Sequence, residues 1–540
     1  MAEYDLTSTL LKYVDRHLGF PLLSHLASTG LFNGADITKA QYELAKGTSM
    51  VDYIEDLHSQ AFPGQGPPAD LEKQRADALS QHERLGAEVD AVLNVIEDPN
   101  VAGALKQDKE KNLQWLQQNY NLTLDQITTL YHYGYFHFSC GNYGEASSYL
   151  YHFRILSTDP VLTLSSHWGK LASDVLTGEW DRALEEIKLI REQIDAPHRA
   201  AYGNEDGGAE ALLQRRTWLL HWSLFVWFNH PEGRQGLVEM YLSPPYLNTI
   251  QTTSWWLLRY LVAALVLTRR TSRVYMVPSP SSNPSMLNAN PVSKVTPTAA
   301  LRDVSRIIIS ESDYRLTRDP IVDFIAKLYG DFDFEGAQEE LRKAETVAEA
   351  DFFLQDHKEA FLEGARYLIS EAYTRIHQRV NIADLSARLN LSKEEGEKWI
   401  VNLVRDTRAD AKIDFKEGVV SMNLQNTHPP IYQGIIEQTR GFTFRTAAMG
   451  QAIDRKAHPT QVGVGGNAAG GGDRTSNATG QRGGRGGGRG GRGGSSTRGG
   501  ARSQGGQQRD SQQPSSQGDS SAPSAGDSFS AASPATKVAV

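Results

Sequence analysis

Six arginines late in the 540-residue chain, Arg482, Arg485, Arg489, Arg492, Arg498 and Arg502, are spaced by glycine and small polar residues. On so glycine-rich a backbone each guanidinium can reach a phosphate or stack on a base, which points to weak RNA binding with little sequence preference. No aromatic side chain interleaves them, so phosphate contact should dominate over stacking. Elsewhere the reactive side chains are thinly spread. His132 and His137 are five residues apart, which does not bring two imidazoles to one helical face for a metal, and they read as core histidines. Cys140, the single cysteine, excludes an internal disulfide framework and a multi-cysteine zinc site, and it fits a reducing compartment. The stretch "GVGGNAAGGG" at 463–472 follows no strand and opens no helix, so it does not read as a phosphate cradle. With no P-loop, HExxH or Gly-x-Ser-x-Gly pattern, the chain reads as non-catalytic, with no cofactor and no metal.

A second candidate surface lies on a helix. In "LSKEEGEKWIVNLVRD", residues 391–406, Ser392 stands as N-cap and Glu395 completes a capping box. Gly396, Trp399, Ile400, Leu403 and Val404 then form one apolar stripe at helical spacing. Upstream, "NIADLSARLN" gives a shorter amphipathic helix through Ile382, Leu385 and Leu389, and the two make a helix-turn-helix. Downstream, Ala411, Ile413 and Phe415 alternate with Lys412, Asp414 and Lys416 before "EG" turns the chain into Val419, Val420 and Met422, a β-hairpin. The whole is a winged helix over 379–425.

Charge decides how such an element is used. Between 391 and 408 the acids Glu394, Glu395, Glu397 and Asp406 balance Lys393, Lys398, Arg405 and Arg408, and three of the four acids fall in the first turns. Acids there oppose docking on phosphates but suit the positive end of the helix dipole, so the fold should bind protein rather than DNA. Val401 lies beside the stripe in line with Glu397, Arg405 and Arg408, and these four with Lys412 and Asp414 form the candidate contact set. A widened core face would explain Val401 equally well.

The elements that carry these surfaces are helical. "GNYGEA" at 141–146 and "GEWDRA" at 178–183 share Gly-x-aromatic-x-x-Ala at 37 residues' separation, with a looser copy, "GDFDFEGA", at 330–337. In helical repeats the glycine permits the turn, the aromatic plugs the pair and the alanine allows close approach. Trp218, Trp222, Trp227 and Phe228 read as packed core of the same array. The run "WWLLRYLVAALVLT" at 255–268 is too short to span a bilayer and carries Arg259, so it reads as a buried helix and no membrane contact is expected. No charged segment followed by an apolar stretch opens the chain, which argues against secretion.

The organisation that follows is mainly α. A helical segment at 1–61 precedes a right-handed helical-repeat (TPR/HEAT-like) solenoid at 69–270. A Pro/Ser-rich insertion at 271–298 is too polar to pack and reads as disordered. The last solenoid helices occupy 299–378, the winged helix 379–425 and a further helix 426–445, with a disordered Gly/Arg/Ser-rich tail at 450–540. From residue 450 onward eleven Lys and Arg face five acids, so this tail carries +6 and the rest −15, against a total of −9.

Helical repeats running into a winged helix resemble the PCI domains shared by the proteasome lid, the COP9 signalosome and a translation initiation factor. More narrowly, "AEYDLT" at 2–7, "DRHLGFPLL" at 15–23, "WFNHPEGR" at 227–234, "LNTIQT" at 247–252 and "EKWIVNLVRDTRADAKID" at 397–414 are similar to the family of E subunits of eukaryotic translation initiation factor 3. The insertion and the Arg-Gly tail depart from the family core and resemble fungal versions. The resemblance implies a non-catalytic, cytoplasmic scaffold, assembled side by side with other PCI and MPN subunits through its winged helix. It further implies support for recruiting messenger RNA and the small ribosomal subunit, mostly through protein contacts. An RNA-binding regulator acting through the tail, and a component of the sister PCI complexes, are the competing readings.

Overall fold

A computed structural model describes residues 2–457 except 65, 67, 97–108, 121, 196–207, 272–273, 279–291, 312–317, 390, 408–410, 415 and 423–430. The centre of the insertion, Arg408 and the arginine-bearing tail therefore lie outside the described residues.

The body is a chain of helices, most packed on their neighbours in sequence: Leu124–Ser139, Tyr143–Leu156, Pro160–Thr177, Trp180–Asp195, Gly208–Asn229 and Gly233–Tyr241. Local chemistry sets their ends. Thr123 and Gln126 cap the first of these reciprocally, each side chain meeting the other's backbone amide. Asp159 accepts from the amides of Val161 and Leu162 beside a proline that needs no partner there.

The repeat motif works as its residue types require. Gly141 and Gly178 adopt φ of 89° and 79°, the left-handed turn a side chain resists, and five residues on Ala146 and Ala183 are fully buried where the helices meet. The third copy differs from its sequence alignment. A π-helical turn at Lys327–Asp331 shifts the register, so Phe332 rather than Gly330 takes the left-handed conformation, at φ 55°, five residues before the buried Ala337.

The apolar run forms a short 3₁₀ turn, Trp255–Leu257, and the buried helix Leu258–Thr268. Its arginine is fully neutralised: Arg259 donates Nε to Asp319 and Nη1 to Asp351 at 3.1 Å, while Nη2 donates to the Tyr4 carbonyl at 2.7 Å. That last bond ties the N-terminal helices, Thr7–Leu10 and Arg16–Thr29, onto the body, as do Trp222 Nε1 to the Tyr13 carbonyl at 3.0 Å and His25 to the Ala350 carbonyl at 3.1 Å. One core cluster consequently runs from Leu10 to Val420.

Disorder across 271–298 does not hold at the ends of that segment. Strands β1 (Tyr275–Pro278) and β2 (Val292–Val295) pair antiparallel, Tyr275 opposite Val295. Tyr275 and Val277 alternate into the core, and the Tyr275 hydroxyl meets Thr268 Oγ1 at 2.7 Å. Four-residue alternations are easily lost in proline- and serine-rich surroundings. The final helix, Ile431–Ala457, is longer than 426–445 and belongs to a second unit. Its apolar side chains, among them Tyr432, Phe442, Phe444 and Ile453, are exposed.

Candidate assembly surface

The winged helix is assembled from the helices Ile382–Arg388 and Lys393–Thr407 and from strands β3 (Arg379–Asn381), β4 (Ala411–Asp414) and β5 (Val419–Met422). The sheet order β3-β5-β4 puts the last strand in the centre, with Ile413 opposite Val420 on β5, which in turn faces Val380 on β3. The far edge of β4 pairs with no strand among the described residues.

The capping box is present. Glu395 N donates to Ser392 Oγ at 3.3 Å, while Glu395 Oε2 accepts from the Ser392 hydroxyl at 2.8 Å and from the Ser392 amide at 3.1 Å; the hydroxyl first and then the amide hold the Glu395 carboxyl below its ordinary range. Gly396, Ile400 and Leu403 are buried, whereas Trp399 and Val404 are only half-buried. Gly396 is there for contact: a Cβ would sit 1.8 Å from Ser386 Oγ, so the two helices cross too closely for any side chain.

Three longer-range contacts lock the element to the body. The Trp399 indole donates to Ser370 Oγ at 3.0 Å, Arg388 lies over the Tyr373 ring, and Arg270 bridges Glu363 at 2.5 Å and Asp406 at 3.1 Å. Burial works against the Arg270 charge, but the two carboxylates prevail and raise its pKa. None of these pairings is signalled by local pattern, since each joins residues far apart in sequence.

The candidate contact residues divide. Glu397 and Val401 are half-buried and Arg405 exposed, one turn apart on one face of the helix, and Arg405 has no ion pair among the described residues. Lys412 and Asp414 point outward from β4 while Ala411 and Ile413 point in. Asp414 has a structural task as well, accepting from the amides of Lys416 and Glu417 in the wing turn. Arg408 and the six tail arginines lie outside the described residues.

The remaining reactive side chains are packed ones. His137 is buried against Glu145 at 2.9 Å, and burial lowers its pKa. Cys140 caps a helix, and burial pushes its thiol up to about 11, so it is no thiolate at neutral pH. Among the described residues no three His, Cys, Asp or Glu side chains form a metal-binding group, and no single helix is long and apolar enough to cross a membrane.

A helical body whose core continues into a winged helix defines a PCI-type scaffold protein, and the PCI domain family model matches residues 341–424. The model described as eIF3 subunit 6 N terminal domain matches residues 5–137. Proteins named as the E subunit of eukaryotic translation initiation factor 3 are similar along most of their length. That of Mycosarcoma maydis is 64% identical over 85% of this chain and 87% of its own, and that of Cryptococcus neoformans 44% identical over 83% and 92%. That of Aspergillus terreus is 43% identical over 83% and 93%. The chain belongs to the family of E subunits of eukaryotic translation initiation factor 3, scaffold components of a translation initiation factor.

Proposed function

We propose that this chain acts without catalysis, holding its place in the initiation factor through the winged helix. So placed, it supports recruitment of messenger RNA and the small ribosomal subunit mostly through protein contacts in the cytoplasm. The observation that carries this reading is the helix Lys393–Thr407, fixed to the body on one side and acid-led at its start, with exposed Arg405, unpaired among the described residues, beside half-buried Val401. Next to it the outer edge of β4 offers backbone donors and acceptors to a strand from a neighbour, and other PCI and MPN subunits are the proposed partners. Reversing charge at Arg405, Arg408 and Lys412 should leave the fold intact and lower co-purification of those subunits by about tenfold or more. Unchanged pull-downs after that reversal and after deletion of 380–425 would place the interface elsewhere. RNA binding by the tail is a second activity of the same chain, favoured by its +6 charge against the −15 of the remainder.

A further inference from the structure

On the solenoid, with no lining residue from the winged helix, a cavity of about 810 Å³ opens between the helices Trp180–Asp195 and Gly233–Tyr241, with β1 and the start of the helix Lys358–Ile376 completing its wall. Three of its lining residues are cations, Lys188, Arg191 and Arg234, and none has a carboxylate in ion-pair range among the described residues. Arg234 is half-buried and no carboxylate meets its guanidinium, which lies 3.1 Å from the Pro231 carbonyl, 3.5 Å from the Phe228 carbonyl and 3.3 Å from His357 Nε2. Burial without a counter-charge lowers its pKa. Arg191 rests over the Tyr246 ring, 5.4 Å from its centroid. Such a cluster stands on a body that carries −15, where buried or half-buried arginines such as Arg154, Arg259 and Arg269 are paired with carboxylates.

Two acids also line the cavity. Glu239 is committed to the wall, accepting from the Met276 amide and from Gln235, each at 3.0 Å, while Glu232 lies exposed at the rim. They would repel a polyphosphate but tolerate one carboxylate seated among the three cations. Apolar surface is available alongside: Met276 is 46% exposed, and the buried Trp227 ring forms part of the wall, its indole N–H lacking an acceptor among the described residues. Resting on the reading of this chain as a scaffold component, we propose that the cavity receives an acidic side chain, flanked by an apolar one, from an extended segment of a neighbouring subunit.

The test uses the full chain in its co-purified complex, with a photoreactive residue in place of Ala360, which is exposed in the cavity wall and makes no side-chain bond. The expected adduct joins one segment of another subunit that carries an Asp or Glu beside the modified residue. The double reversal K188E/R191E should reduce that adduct by about tenfold or more with the circular dichroism spectrum unchanged. An adduct that survives the reversal overturns the proposal. So do adducts confined to RNA or to this chain, displacement by inositol hexakisphosphate, and absence of any adduct while the other subunits still co-purify. If the unsubstituted chain itself fails to co-purify with other subunits, the scaffold reading falls and this one with it.

Discussion

His221 shows how a single buried side chain couples the fold to pH. Its Nδ1–H donates to the Thr217 carbonyl at 2.7 Å and its Nε2 accepts from the Trp256 indole at 3.0 Å, so the geometry admits only the neutral ring. Burial lowers its pKa from 6.5 to about 4, against a smaller opposing effect of the Thr217 bond. The unfolded imidazole gains a proton as pH falls through 6.5 and the folded one only near 4, so the stability is full above 6.5 and is lost across that window. The loss is about 3 kcal/mol. Between pH 7.5 and pH 5 about 2 kcal/mol of it is lost, which urea midpoints at the two should record, and H221N should fall less between them. At Trp399, half-buried with one hydrogen bond to Ser370, replacement by Ala should cost about 2–4 kcal/mol, less than a fully enclosed indole would. A cost under about 1 kcal/mol in urea unfolding would show that the winged helix does not depend on it.

Among the elements, the winged helix was the most legible, because capping box, apolar stripe, alternating strands and a glycine turn all act within a few residues. The repeats were legible at Gly141 and Gly178 for the same reason, a backbone conformation that only a narrow choice of residue suits. What escaped was non-local. The Arg259 and Arg270 clusters join side chains 60 or more residues apart, and the hairpin β1–β2 depends on burial of Tyr275 against a helix already in place. At the third repeat the pattern misled, since Gly330 looks like the turn residue while a π-helical turn moves the strain to Phe332. That strain is open to measurement. A phenylalanine at φ 55°, 55% exposed, loses little packing on removal, so F332G should raise stability by about 0.5–1 kcal/mol. A loss of stability in thermal or urea unfolding would mean that the side chain holds the turn through contacts worth more than its strain.

For the molecule as a whole, charge is unevenly divided, −15 on the body and +6 on the tail, and the proposed RNA binding by the tail has a measurable electrostatic signature. If all six tail arginines engage, affinity of residues 462–540 for single-stranded RNA should fall by about four decades per tenfold rise in salt. Fluorescence anisotropy over a salt series checks this, and affinity unmoved by salt, or by changing the six arginines to glutamine, would remove the electrostatic account. A stack of repeats in which each touches only the next could fold progressively as it emerges. Here the Tyr4 carbonyl waits for a guanidinium 255 residues later, and that of Tyr13 for an indole 209 residues later. At roughly 5–20 residues per second of synthesis, the first of these partners arrives about 13–50 s after its acceptor. For that interval the helices Thr7–Leu10 and Arg16–Thr29 stand on a translating ribosome without those two late anchors, resting on nearer partners such as Tyr143, whose hydroxyl meets His17 at 3.0 Å.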